Sequence, residues 1–228
     1  MRNSVFITGT DTGVGKTYAC VALLHALRGA GLRAVGMKPV ASGCAVMPQG
    51  LRNDDAMALQ AASDPCPDYA LVNPLAYAQP ISPHLAAAAA GHTIRLTPIE
   101  RAHARLAALA DITVVEGVGG WLAPLSDRLT AGDIARALDL PVILVVGLRL
   151  GCLNHALLSA RAIAADGCTL LGWIGNRIDP AMLEPERNLD TLHTRLPAPC
   201  LGVIAHAADA GAAARALAPA LAALRSCS

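Results

Sequence analysis

Short, mainly apolar runs recur along this chain and alternate with longer stretches whose apolar residues return every three or four positions. The first run, residues 4–8 (SVFIT), leads at once into a Gly/Thr cluster. Residues 16–30 follow at helical spacing and end beside Gly29 and Gly31, so strand, loop and helix form the opening unit. Residues 34–37 read as a second strand, stopped by Pro39, and further apolar runs lie at 112–115, 142–146, 170–174 and 201–204. Runs that are apolar at every position suit strands covered on both faces, as in parallel sheets. Helical spacing marks 54–62, 97–110, 131–139, 153–166, 181–195 and 208–224. The alternation predicts a doubly wound, mostly parallel α/β sheet with helices on both faces.

No internal repeat or composition break divides the chain, and 228 residues fit one large domain, expected to span 1–228. The alanine clusters at 86–90 and 207–224 are good helix formers. Residues 64–83 carry five prolines and are expected to form an irregular excursion from the sheet. In open α/β sheets the crevice lies outside the carboxyl ends of the strands. That rule puts residues 9–17, 38–44, 116–120, 147–154, 175–177 and 205–207 along one edge.

Composition narrows the function classes. Hydrophobic residues make up 54% and charged residues 15%, with mean hydropathy +0.45, which excludes a disordered chain. The run at 142–146 is far too short to cross a bilayer, and the first residues lack the apolar core of an export signal. A cytoplasmic protein without membrane association is expected. Eighteen basic against seventeen acidic residues give +1, and six aromatic residues leave little to stack bases on, so no nucleic-acid partner is expected. The seven cysteines (20, 44, 66, 152, 168, 200, 227) contain no C-x-x-C pair and read as buried, reduced thiols. Only two of the eighteen basic residues are lysine, Lys16 and Lys38. An arginine-rich chain that keeps two lysines points to sites where a compact ammonium is required.

The strongest motif is Gly9-Thr10-Asp11-Thr12-Gly13-Val14-Gly15-Lys16-Thr17, set between a predicted strand and helix. Such a loop turns successive backbone N–H groups around phosphate oxygens, with Lys16 reaching the β/γ-phosphates and Thr17 placing its hydroxyl on Mg2+. Its first glycine falls one position early, and Thr10 stands where glycine is usual. Dinucleotide (G-x-G-x-x-G), nucleophile-elbow (G-x-S-x-G) and zinc (H-E-x-x-H) patterns are absent. Glu116 ends an apolar run and precedes Gly117-Val118-Gly119-Gly120, where a carboxylate would point into the crevice towards Mg2+. Asp54 and Asp55 fit a metal ligand and a helix N-cap equally well by spacing. Lys38-Pro39-Val40-Ala41-Ser42-Gly43 brings the second lysine to the same edge. Two ammonium groups at one crevice suit a multiply charged transition state. The residues thus predict Mg-nucleotide phosphoryl transfer to an anionic second substrate near Lys38.

Together GTDTGVGKT, KPVASG, GLRNDDAMAL, VEGVGGW and VVGLRLGCLNHALL resemble the dethiobiotin synthetases, the ATP-dependent ligases of biotin biosynthesis, in order and through almost the whole chain. The resemblance implies a P-loop NTPase-like fold. It also implies carboxylation of 7,8-diaminopelargonate by CO2 and closure of a ureido ring, with ATP split to ADP and phosphate. It makes Lys16 and Lys38 catalytic, sets Thr12 and Ser42 on the substrate, and selects Asp55 to join Thr17 and Glu116 on Mg2+. Gly13, Val14, Gly15, Lys16, Thr17, Tyr18, Asp55, Glu116, Gly117, Val118, Gly119, Asn176, Arg177, Ala205, His206 and Ala207 are implied to bind ATP, Asn176 reading the adenine edge. A homodimer is implied, with Gly151, Cys152, Leu153 and Asn154 of one subunit cradling the substrate carboxylate of the other. Ala205-His206 stands where relatives often carry a proline, and Asn188 near where a tyrosine meets the substrate. Asp11 occupies the position of a signature lysine in partitioning ATPases, the competing class on the same fold.

Overall fold

The six apolar runs all become strands of one sheet, because a buried, extended and largely apolar segment satisfies its backbone inside a ladder. The structure, a computed structural model, describes residues 4–226. In chain order its strands are β1 (Ser4–Gly9), β2 (Ala34–Met37), β3 (Val40–Ala41), β4 (Ala45–Met47), β5 (Gly50–Arg52), β6 (Leu75–Ala76), β7 (Ile112–Glu116), β8 (Val142–Gly147), β9 (Leu170–Asn176) and β10 (Cys200–Ile204). Its helices are α1 (Lys16–Gly29), α2 (Asp54–Ala62), α3 (Tyr69–Val72), α4 (Pro83–Ala89), α5 (Thr97–Leu109), α6 (Gly132–Ala137), α7 (Cys152–Ala165), α8 (Pro185–Arg195), α9 (Ala210–Ala216) and α10 (Ala218–Ser226).

The main sheet runs β10-β9-β8-β1-β7-β2, every pair parallel. Neighbouring side chains of one strand enter opposite cores. Val5 and Ile7 of β1 pack with Leu23, Leu24 and Leu27 of α1, while Phe6 between them joins Ile99 and Leu106 of α5. Leu144 and Val146 of β8 meet Trp173, α7 and α8 in a third cluster. Helices therefore cover both faces, as the apolar runs predict. The chain lays down β2 and β7 on one side of β1 and then crosses to β8 on the other, so order reverses beside β1. A crevice opens at such a switch point, and the registers Ile7↔Glu116, Gly9↔Val145 and Gly147↔Asn176 bring the strand ends level there.

Four expectations are corrected. The helix expected over 208–224 is two, because α9 stops before Leu217 and α10 begins at Ala218 with Pro219, which has no N–H to continue the ladder. The helix expected from 181 starts only at Pro185, after Glu184 turns left-handed at φ 51°. The excursion at 64–83 is partly regular: it forms α3, starts α4 and pairs β6 with β3, while β4 and β5 make an antiparallel hairpin. Strands of two or three residues are too short to carry a period. The thiols are free, but only Cys20, Cys44 and Cys152 are buried; Cys66 is exposed, Cys168 and Cys200 lie between, and Cys227 falls outside the described residues. No helix among the described residues is long and apolar enough to cross a membrane.

Candidate active site

The glycines after β1 let the chain wrap where side chains could not. Gly13 and Gly15 take φ values of 74° and 84°, in the left-handed region. Thr10 N donates to Val145 O of β8 at 3.0 Å, and the amide of Asn176, at the end of β9, donates to Val14 O at 2.9 Å. Two strands thus hold the loop from beneath. No side chain caps α1, and its first turn carries no acid. Its leading N–H groups and positive dipole end are left for an anion.

Lys16 opens α1, is 7% exposed, and donates from Nζ to Asp11 O at 3.0 Å. Lys38, just beyond β2, is 4% exposed, and its Nζ lies 2.5 Å from Glu116 Oε1 and 3.0 Å from Asp55 Oδ2. Thr17 Oγ1 donates to the same Glu116 oxygen at 2.8 Å. Burial and the Lys38 ammonium push the Lys16 amine below its ordinary pKa. Burial opposes the Lys38 ammonium too, but the Glu116 and Asp55 carboxylates outweigh it and hold that group above its ordinary value. Asp55 is the mirror case, raised by burial and carried below its usual range by Lys38. The cleft therefore holds two amines with opposite shifts.

Asp55 is not an N-cap. Asn53 takes that position, accepting from Ala56 N at 3.2 Å, and leaves Asp54 and Asp55 in the first turn of α2. The oxygen donors present fit Mg2+, a hard cation. Glu116 Oε2 is buried with no hydrogen-bond partner, and Thr17 and Asp55 line the same cleft.

The cleft encloses about 800 Å³ and is lined by Thr12, Gly13, Gly15, Lys16, Thr17, Tyr18, Lys38, Ser42, Asp55, Glu116, Val118 and Gly119 among the residues singled out in the sequence. Sequence reasoning misses its far wall, Pro80 to Pro83, because the run QPISP has no period to place it. Gly117 O faces Lys38 Nζ at 3.5 Å. On the other flank Tyr18 Oη donates to Ala208 O, the Arg177 carbonyl accepts from His206 Nδ1 at 3.1 Å, and Arg177 pairs with Glu186. Ala205, His206 and Ala207 are exposed beside these groups. Gly151, Cys152, Leu153 and Asn154 do not line the cleft. They form the uncapped start of α7, with Gly151 left-handed at φ 94° and the Cys152 side chain in the third core cluster.

A second contact that the motifs do not announce ties these two regions. Asp11 Oδ2 accepts from Arg149 Nη2 at 2.6 Å, while Oδ1 accepts from Thr12 N at 2.7 Å. Both partners are nearly half exposed, which limits the pair to about 1 kcal/mol. Replacing Arg149 by methionine should weaken binding of a phosphate-bearing ligand at this loop roughly fivefold, read with a fluorescent nucleotide, with Arg149→Lys between the two.

Residues 3–214 match the family model described as AAA domain. The chain is 60% identical over 211 residues to an ATP-dependent dethiobiotin synthetase of Xanthomonas euvesicatoria pv. vesicatoria (strain 85-10), covering 92% of this chain and 94% of that protein. The chain belongs to the dethiobiotin synthetase family. Its identity to the enzyme so named in Xylella fastidiosa (strain 9a5c) is 55% over 204 residues, 90% of each chain. Solved structures add the fold alone. The MinC:MinD cell division protein complex of Aquifex aeolicus matches with TM-score 0.57 at 15% identity, over 98% of this chain and 96% of that one. A ParA family ATPase of Chlorobium tepidum TLS matches with TM-score 0.57 at 13% identity, over 99% and 94%. A family member with this cleft is an ATP-dependent ligase built on a P-loop NTPase-like sheet.

Proposed function

We propose that this protein converts 7,8-diaminopelargonate, CO2 and ATP to dethiobiotin, ADP and phosphate. The observation that carries the reading is 60% identity to a dethiobiotin synthetase across nine-tenths of the chain. The cleft supplies the groups such a reaction needs. One amine of the diamine adds to CO2 and loses a proton, giving a carbamate. A carbamate oxygen attacks the γ-phosphorus of ATP, ADP departs, and a carbamic-phosphoric anhydride remains. The second amine attacks its carbonyl carbon, phosphate leaves and the ureido ring closes.

The carbamate, the transferring phosphoryl group and the mixed anhydride are all anionic, which gives the two lysines their work. Lys16 meets the β/γ-phosphates, and Lys38, buried among carboxylates that keep it charged, faces the carbamate and the transferring phosphoryl group. Thr12 and Ser42 would orient the diamine, making ring closure effectively intramolecular, worth several kcal/mol of barrier. Thr17, Asp55 and Glu116 would hold Mg2+, which when bound neutralises charge on the phosphate oxygens. Asn176 Nδ2 is committed to Val14 O, so its Oδ1 is left to accept from the adenine amino group, beside Arg177 and residues 205–207. In a homodimer the uncapped start of α7 from one protomer, residues 151–154, would cradle the carboxylate of the diamine bound by the other. Leu150 beside it is 96% exposed, as an interface residue of an isolated chain would be. The reading takes residues 1–228 as one P-loop domain working in the cytoplasm, where ATP is at hand.

Phosphate release from Mg-ATP should require both the diamine and bicarbonate and yield a product of the mass of dethiobiotin. Release indifferent to the diamine would overturn the reading in favour of a partner-stimulated ATPase. Sedimentation should give twice the chain mass of 23.3 kDa; a monomer with full activity would remove the shared carboxylate site.

A further inference from the structure

Lys38 and Asp55 meet in the cleft, yet they stand on different elements, and residues outside the cleft join those elements a second time. Lys38 Nζ donates to Asp55 Oδ2 at 3.0 Å, and Asp55 sits in the first turn of α2, whose cap is Asn53. Asn53 N donates to Tyr69 Oη at 2.8 Å. Tyr69 Oη donates to Asn73 Oδ1 at 3.2 Å, and Asn73 Nδ2 donates to Lys38 O at 2.7 Å. The path closes on itself: ammonium, carboxylate, helix cap, phenol, amide, and back to the backbone of the same lysine.

Chemistry fixes the direction of every bond in this ring. A peptide N–H can only donate, so the Tyr69 oxygen must accept from Asn53 and turn its one proton towards Asn73. Asn73 must then present Oδ1 to the phenol and Nδ2 to Lys38 O and to Leu75 O, 3.4 Å away, both of which only accept. Asn73 is 4% exposed, and its bond to Lys38 O is buried away from competing solvent. The guanidinium carbon of Arg52 stands 4.2 Å from the centre of the Tyr69 ring and pins it from the other side. Neither Tyr69 nor Asn73 lines the cleft.

We propose that Tyr69 and Asn73 are positioning residues, which fix the end of β2 against the cap of α2 and so set where the Lys38 ammonium stands relative to the Asp55 carboxylate. The inference rests on the roles proposed above for Lys38 and Asp55. Tyr69→Phe is the sharpest test, since it removes one oxygen and keeps the ring under Arg52. Its kcat for dethiobiotin should fall on the order of tenfold, while the KM values for ATP and the diamine stay within about twofold. Mn2+ binding to the nucleotide-free protein, followed by EPR, should weaken severalfold as Asp55 drifts. Asn73→Asp sets an oxygen against Lys38 O in the same volume and should give the same pattern. The double variant should be no worse than the poorer single, as expected of two members of one network.

A Tyr69→Phe enzyme with wild-type kcat and Mn2+ affinity would overturn the proposal. So would a loss that merely follows the folded fraction in thermal melts, or one that raises both KM values as much as it lowers kcat. The two readings fail separately. An active Lys38→Met enzyme overturns the role of Lys38 itself, whereas an inactive one beside an unaffected Tyr69→Phe overturns only the ring.

Discussion

Lys38→Met should lower dethiobiotin turnover roughly a hundred- to a thousandfold, the scale seen when a preorganised donor to a developing anion is removed, and should also destabilise the protein without Mg2+. The second effect follows from Glu116, which is 1% exposed and keeps one oxygen without a hydrogen-bond partner. Without that ammonium, the buried carboxylate keeps one hydrogen bond, from the Thr17 hydroxyl, and only the more distant charge of Lys16. Breaking a buried pair from one side costs about 3–5 kcal/mol, or roughly 10 °C in Tm for a chain of this length. Asp55 adds little, because its side chain is 44% exposed. Mg2+ should raise the melting temperature of the variant more than that of the wild type, since two carboxylates there have lost their cation. The stability difference should be flat from about pH 5 to 9. Asp55 is depressed, so its share is lost only as pH falls below roughly 4; Lys38 is raised, so its share persists until pH passes roughly 10. Calorimetry with and without Mg2+ reads all of this, and a variant as stable as the wild type would mean that Glu116 is not held by Lys38.

Gly15→Ala should weaken nucleotide binding on the order of a hundredfold while the protein still melts cooperatively. A Cβ at residue 15 would lie 2.1 Å from Asn176 Nδ2, and the backbone there has φ 84°. Strain at such a position costs about 1–3 kcal/mol. Relief requires either the loop or Asn176 to move, which also breaks the bond to Val14 O that holds the loop on β9. Gly13 makes the useful control. Its φ is 74°, but nothing lies within 4 Å of the position of its Cβ, so Gly13→Ala should show the strain alone. Fluorescent-nucleotide titration separates the two, and equal losses at both positions would put the cause in backbone strain rather than in Asn176.

What could be read from sequence divides by the length over which a pattern repeats. Strands of four to seven apolar residues and helices of two turns or more declare themselves, and so do motifs whose chemistry is local, such as the loop through Lys16 or the acid that ends β7. Residues 64–83 do not, since α3 has four residues and β6 two. For that reason Tyr69 and Asn73 read there as ordinary loop residues, and the Pro80–Pro83 wall has no signal. Asp11–Arg149 is invisible for another reason: its partners lie 138 residues apart, and ion pairs leave no period. Asp54 and Asp55 were indistinguishable by spacing because the discriminating residue was Asn53, whose capping role appears only once its carbonyl is seen on Ala56 N.

The scarcity of lysine has a practical side. The chain carries two side-chain amines, and both lie in the cleft at 7% and 4% exposure. Acylating reagents that decorate most proteins at many points would find almost no lysine on this surface. Any lysine label that does attach has reached this cleft, so mass spectrometry of a briefly acetylated sample, with and without ATP and the diamine, becomes a direct test of whether they shield it.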